Sequence, residues 1–97
     1  MLFAVRFYDR PKRPEVRKSF LNAHLEWLRV HSDVILIGGS LRLDPESDAI
    51  GALWIVHCDS KSVIEDLLRT DPFWIHGLRE RYEIHSWHKA FPEQTAI

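Results

Sequence analysis

Apolar and polar positions alternate at the start of the chain. Phe3, Val5 and Phe7 fall on one face of an extended segment, and Leu2, Ala4, Arg6 and Tyr8 on the other. A period of two over residues 2–8 predicts a strand. Pro11 and Pro14 punctuate the loop after it. The period then changes. Val16, Phe20, Leu21, His24, Leu25, Trp27 and Leu28 recur at spacings of three and four, which predicts a helix over residues 14–31 stopped by Ser32-Asp33.

Residues 34–43 predict a second strand. It carries Gly38-Gly39, the mark of a bulge or a close backbone approach. Residues 44–48, Asp-Pro-Glu-Ser-Asp, read as a turn or exposed loop. Residues 50–58 predict a third strand. Asp59-Ser60 is placed to cap a second helix built on Val63, Ile64, Leu67 and Leu68. Thr70-Asp71-Pro72 breaks that helix and can start a short one through Phe73, Trp74 and Ile75. Residues 79–89 predict a fourth strand, and the tail after Pro92 reads as disordered. The chain thus divides into one domain over residues 1–90 and a tail over 91–97.

The resulting order is β-α-β-β-α-β, a ferredoxin-like α+β pattern with a four-stranded antiparallel sheet. Two helices cover one face of such a sheet. The second and third strands read as apolar on both faces, the third with Leu53 and Ile55 on one side and Ala52, Trp54 and Val56 on the other. An uncovered apolar face is a sticky patch, and the simplest cover is a second copy. A homodimer is therefore expected.

With 97 residues the chain has room for one core. A net charge of −1 gives no global field toward nucleic acid or an anionic membrane. The basic cluster Arg10, Lys12, Arg13, Arg17 and Lys18 reads as a solvated face rather than an anion site. The single cysteine, Cys58, allows no internal disulfide and reads as a small buried hydrophobe. No secretory signal and no apolar run of membrane-spanning length is visible, so a cytoplasmic protein is expected.

Chemistry concentrates at two distant residues. His24 shares the apolar face of the first helix with Phe20 and Trp27. An imidazole with an ordinary pKa of about 6.5 exchanges protons near neutrality. A lone histidine on such a face is more often a hydrogen-bonded core residue. Asp71 could orient it, and equally Asp71 followed by Pro72 is a standard helix start. Both roles fit one carboxylate, with one oxygen capping and the other facing His24.

The other histidines carry little metal signal. His24 and His31 are two helical turns apart, roughly 10 Å. His85 and His88 point to opposite faces of a strand. No HExxH, CxxC or ion-binding loop occurs. No metal or cofactor is expected. Arg6, Glu83 and His85 read as cross-strand pairs. Ser40, beside the glycines, is placed to donate to a ligand. Trp27 and Trp74, each near one of the two chemical residues, are expected near that ligand, with Trp27 and Phe73 as candidate lining; His76, five residues after Asp71, could also approach it.

These residues match a known family. The chain resembles the YciI-like (YCII-related) proteins, small dimeric α+β-barrel proteins. The likeness rests on Ala23-His24-Leu25, Asp71-Pro72-Phe73, the glycine-bearing Ile37-Gly38-Gly39-Ser40-Leu41 and the aromatic close at Trp87. It spans the chain to about residue 90. The 44–48 loop departs from it, lacking the glycines often found there. The resemblance implies a dimeric α+β barrel with His24 and Asp71 as a catalytic pair.

It also implies kinship with muconolactone isomerases and cofactor-free monooxygenases. The leading expectation is a small cofactor-free enzyme doing proton transfer on a small organic molecule, aromatic or lactone-like. Its class stays open among isomerase, lyase and hydrolase-like. The alternative is a non-catalytic dimeric binding or interaction module in which His24 and Asp71 tie the helices to the sheet.

Overall fold

The computed structural model describes residues 1–94 and 96–97. The disordered tail expected after Pro92 includes Thr95, which lies outside the described residues. The elements are β1 (Leu2–Asp9), α1 (Pro14–Val30), β2 (Ile35–Leu41), β3 (Gly51–His57), α2 (Lys61–Leu68), α3 (Pro72–Ile75) and β4 (Arg79–Trp87). All four strands run antiparallel in the order β2-β3-β1-β4. That strand order is ferredoxin-like.

Two parts of the expected fold are corrected. The order is β-α-β-β-α-α-β, because the short helix that Asp71-Pro72 can start does form, over Pro72–Ile75, and adds an element that the expected order left out. The sheet is also open and not a barrel: β2 and β4 are its two edges and do not pair with each other. Four strands are too few to tilt around and close on themselves around a packed interior.

The alternation read along β1 is what builds the core. Phe3, Val5 and Phe7 are buried with Ala52, Trp54 and Val56 of β3, Ile35 of β2, and Ile64 and Leu68 of α2. Helix α1 adds Trp27 and Leu28 at the margin. Its stripe is only partly covered. His24 is the one buried residue of the helix, and Leu21 and Leu25 stay about two-fifths exposed. Ser60 stands at the N-cap of α2 without capping it; its hydroxyl meets Ser62 Oγ at 2.9 Å.

The glycines of β2 do not make the bulge. The irregularity falls between Ile35 and Ile37, whereas Gly38 and Gly39 pair regularly with Trp54 and Leu53. What Gly38 provides is close approach. A Cβ there would lie 3.3 Å from Trp54 Cδ1.

A polar tie links α2 to β4. The Tyr82 hydroxyl donates to Glu65 Oε2 at 2.7 Å. That bond to an anion, helped by burial, holds the Tyr82 phenol above the usual tyrosine range. On the far side of the sheet, Arg6 stands opposite Glu83. Tyr8 lies under both the Arg6 and Arg81 guanidiniums and donates to Glu83 Oε1 at 2.7 Å. This bond to the charged form lowers the Glu83 carboxyl. The β1–β4 half of the open face is thus polar. The β2–β3 half exposes Ile37 and Leu53.

Candidate active site

Residues 47 positions apart meet where α1 crosses α3. His24 Nδ1 lies 2.7 Å from Asp71 Oδ1, with both residues buried. An ionised carboxylate only accepts, so a neutral imidazole facing it carries its proton on Nδ1 and keeps the lone pair on Nε2. Asp71 holds its place because it is also the N-cap of α3. Its Oδ1 accepts the Phe73 backbone N–H at 3.0 Å, and Pro72 occupies the first helical turn. The cap and the histidine therefore share one oxygen, not one each as the sequence suggested. Phe73 is fully buried and stacks on the His24 ring at 4.1 Å and 16°. Imidazole position is thus fixed at one edge by the carboxylate and on one face by the phenyl ring.

The chain after α3 brings a second charged group to the same place. His76 ends the helix, Gly77 turns with φ of 76°, and Leu78 N–H returns to Phe73 O at 3.0 Å. That left-handed turn suits glycine and delivers Arg79. Its guanidinium is buried against the faces of Phe7 and Phe73, at 4.9 and 5.2 Å. Arg79 Nη1 donates to Asp9 Oδ1 at 2.6 Å, and Arg17 Nη2 donates to Asp9 Oδ2 at 2.6 Å. Burial lowers the Arg79 pKa from its ordinary value, while Asp9 and Asp71 pull it back up.

A cavity of about 180 Å³ opens over this arrangement, between α1 and the β2–β3 side of the sheet. His24, Ser40, Trp54, Arg79, Arg17 and Gly38 are among its walls. Among the described residues, no acidic side chain lines it. A larger cleft of about 400 Å³ lies elsewhere, bordered by Met1, Leu2, His57 and Lys89. Nothing there resembles the paired groups around His24, so the smaller cavity is the chemically equipped one.

The expected site residues occupy different positions around it. His24 and Ser40 line the cavity. Trp27 lies beside the His24 ring at 6.4 Å and gives its Nε1 proton to Thr70 Oγ1 at 2.9 Å. Neither Trp27 nor Phe73 lines the cavity. His76 stacks on Phe20 at 3.6 Å and is not in the lining either. Sequence reading missed Asp9, Arg79 and Trp54. It also placed Arg17 on a solvated face, whereas Arg17 turns inward to Asp9. The available signal was slight: an acidic residue closing β1 and an arginine opening β4. Among the described residues, no three His, Cys, Asp or Glu side chains gather as a metal site would need.

Fold and site together define a small open-sheet α+β protein with a buried histidine–carboxylate pair at the wall of a basic cavity. The chain belongs to the YCII-related domain family, whose model matches residues 1–88. Among solved structures it is similar to 5-chloro-2-hydroxyhydroquinone dehydrochlorinase from Burkholderia phenoliruptrix, in complex with 2,5-dihydroxybenzoquinone. The two share 27% identity over 91% of this chain and 94% of that one, with a TM-score of 0.82.

Two further likenesses concern the fold alone. One is to a protein of Agrobacterium tumefaciens at 16% identity, covering 95% of this chain and 98% of that one, with a TM-score of 0.53. The other is to an ethyl tert-butyl ether D (EthD) family protein of Bacillus halodurans at 16% identity. It covers 91% of this chain and 99% of that one, with a TM-score of 0.51. Among curated proteins none matches this chain by sequence. No helix among the described residues is long and apolar enough to cross a membrane.

Proposed function

We propose that this protein is a cofactor-free enzyme that moves a proton on a small organic molecule, with His24 as general acid/base and Asp71 as its orienting anion. The observation that carries this reading is the 2.7 Å contact of His24 Nδ1 with Asp71 beside an open cavity. His24 Nε2 takes the substrate's proton; Asp71 stays ionised and stabilises the imidazolium; the proton then returns to product or solvent. Ser40 stands at the cavity wall as a donor to substrate. Phe73 and Trp27 act from behind, holding the His24 ring. No step of this proton transfer calls for a redox group.

Likeness to the dehydrochlorinase supports a ring substrate. The direct test is chloride release from 5-chloro-2-hydroxyhydroquinone, a loss of one proton and one chloride ion. Wild-type protein is expected to release chloride, and His24→Gln to lose roughly 10²–10⁴-fold of that rate. Equal rates would refute the role of His24. The capping bond of Asp71 favours the rival, a binding module in which the pair only ties α1 to α3. That reading predicts lost stability in His24→Gln with no turnover in the wild type.

We propose further that two copies associate through the open face of the sheet, where Ile37 and Leu53 are exposed. Sedimentation at micromolar concentration is expected to give twice the chain mass. A clean monomer mass would refute this.

A further inference from the structure

Among the described residues, two buried side-chain nitrogens lack a hydrogen-bond partner: Trp54 Nε1 and Arg79 Nε. Both residues are at least nine-tenths buried, at 1% and 3% exposure, and both line the cavity that holds His24. A buried donor left unmet is costly, and native proteins rarely tolerate one without a purpose. Two at the wall of one cavity point to a shared occupant. Indole N–H and guanidinium N–H only donate, so the occupant must accept.

Charge narrows the occupant further. Arg17, Arg42 and Arg79 all line the cavity, and among the described residues no carboxylate does. Arg17 and Arg79 are anchored by Asp9, and Arg42 donates to Ser40 Oγ and Ser47 O. The orphan Nε of Arg79 is therefore a charged donor without an acceptor among those residues. Size narrows it again. A cavity of about 180 Å³ suits one six-membered ring, since an apolar cavity of about 150 Å³ holds benzene. Gly38 keeps the space beside the indole free: a Cβ there would lie 3.6 Å from Trp54 Nε1.

We infer that Trp54 Nε1 and Arg79 Nε form the oxygen-binding wall of the site, recognising a single flat ring that carries an ionised, enolate- or phenolate-type oxygen. This deepens the acid/base reading, and rests on it only for the chemical step after binding. The wall holds the ring's oxygen, and His24 acts on the same molecule. Charge drawn onto that oxygen as a ring proton leaves is met by donors already in place.

The test uses 4-nitrocatechol in its singly ionised form as the probe and nitrobenzene as a ring without an ionisable oxygen. In ¹H–¹⁵N spectra of the full-length protein, the Trp54 indole and Arg79 Nε cross-peaks are assigned by their loss in Trp54→Phe and Arg79→Lys. Both peaks are expected to move downfield on adding 4-nitrocatechol and to stay still with nitrobenzene. Arg79→Lys, which keeps the charge facing Asp9, is expected to weaken binding roughly tenfold or more. Gly38→Ala is expected to weaken it as well, so the inference does not depend on Trp54→Phe folding.

Failure of the wild type to bind 4-nitrocatechol would overturn the inference. So would binding that leaves both peaks in place, equal affinity for nitrobenzene, or unchanged affinity in Arg79→Lys and Gly38→Ala together. None of these outcomes touches the chloride-release comparison with His24→Gln, so the two readings fail separately.

Discussion

Asp9→Ala is expected to lower the unfolding free energy by about 3–5 kcal/mol, the usual cost of removing one partner from a buried ion pair. The side chain of Asp9 is 6% exposed and that of Arg79 1% exposed. Without Asp9 the Arg79 guanidinium keeps its charge but loses its directly bonded anion, leaving the faces of Phe7 and Phe73 and the weaker pull of Asp71. Arg17, at 22% side-chain exposure, can turn to water, so Arg17→Ala is expected to cost about 1 kcal/mol or less. Against a total stability of roughly 5–15 kcal/mol for a domain of this kind, Asp9→Ala is severe and Arg17→Ala mild. Urea unfolding of the three proteins checks this. An Asp9→Ala midpoint near wild type would mean that the buried guanidinium does not depend on its anion.

The second large effect is on turnover. Asp71→Asn is expected to reduce it by roughly 10²-fold or more while moving stability by less than about 1 kcal/mol. Asparagine caps a helix about as well as aspartate, and the Phe73 N–H selects which end of the amide faces it. The amide oxygen stays where Oδ1 was and still accepts from His24 Nδ1. The tautomer is then preserved and only the negative charge is lost. The variant isolates stabilisation of the imidazolium from orientation of the ring. Wild-type turnover in Asp71→Asn would leave Asp71 a cap alone. A collapse of stability with it would show that the carboxylate is needed for the fold itself.

Much of this was legible along the chain, because the relevant forces are local. Period-two alternation marked β1, and three-four spacing marked α1 to within a residue of its end at Val30. The Asp71-Pro72 start and the histidine on the buried face are short-range signatures, and the helices they belong to pack together. What could not be read depends on tertiary distance. Asp9 and Arg79 are separated by 70 positions, and each looks like an ordinary strand terminus. Trp54 reads as a core residue, and it is one. Only the lack of a partner for its buried indole N–H, beside the bare backbone of Gly38, sets it apart. The barrel was read from resemblance, and the edges of the sheet, β2 and β4, do not meet to make one.

The turn at Gly77 couples two groups that the chain could otherwise vary one at a time. Asp71 and Arg79 flank one compact stretch, tied internally by the Leu78-to-Phe73 bond and bent by a residue without a side chain. Asp71 and Arg79 are therefore set in place together, by one short length of chain. A lengthening of this stretch by one residue would dislocate both groups at once while leaving the sheet intact. Residues 71–79 are thus one segment through which a single change retunes two charges of the site.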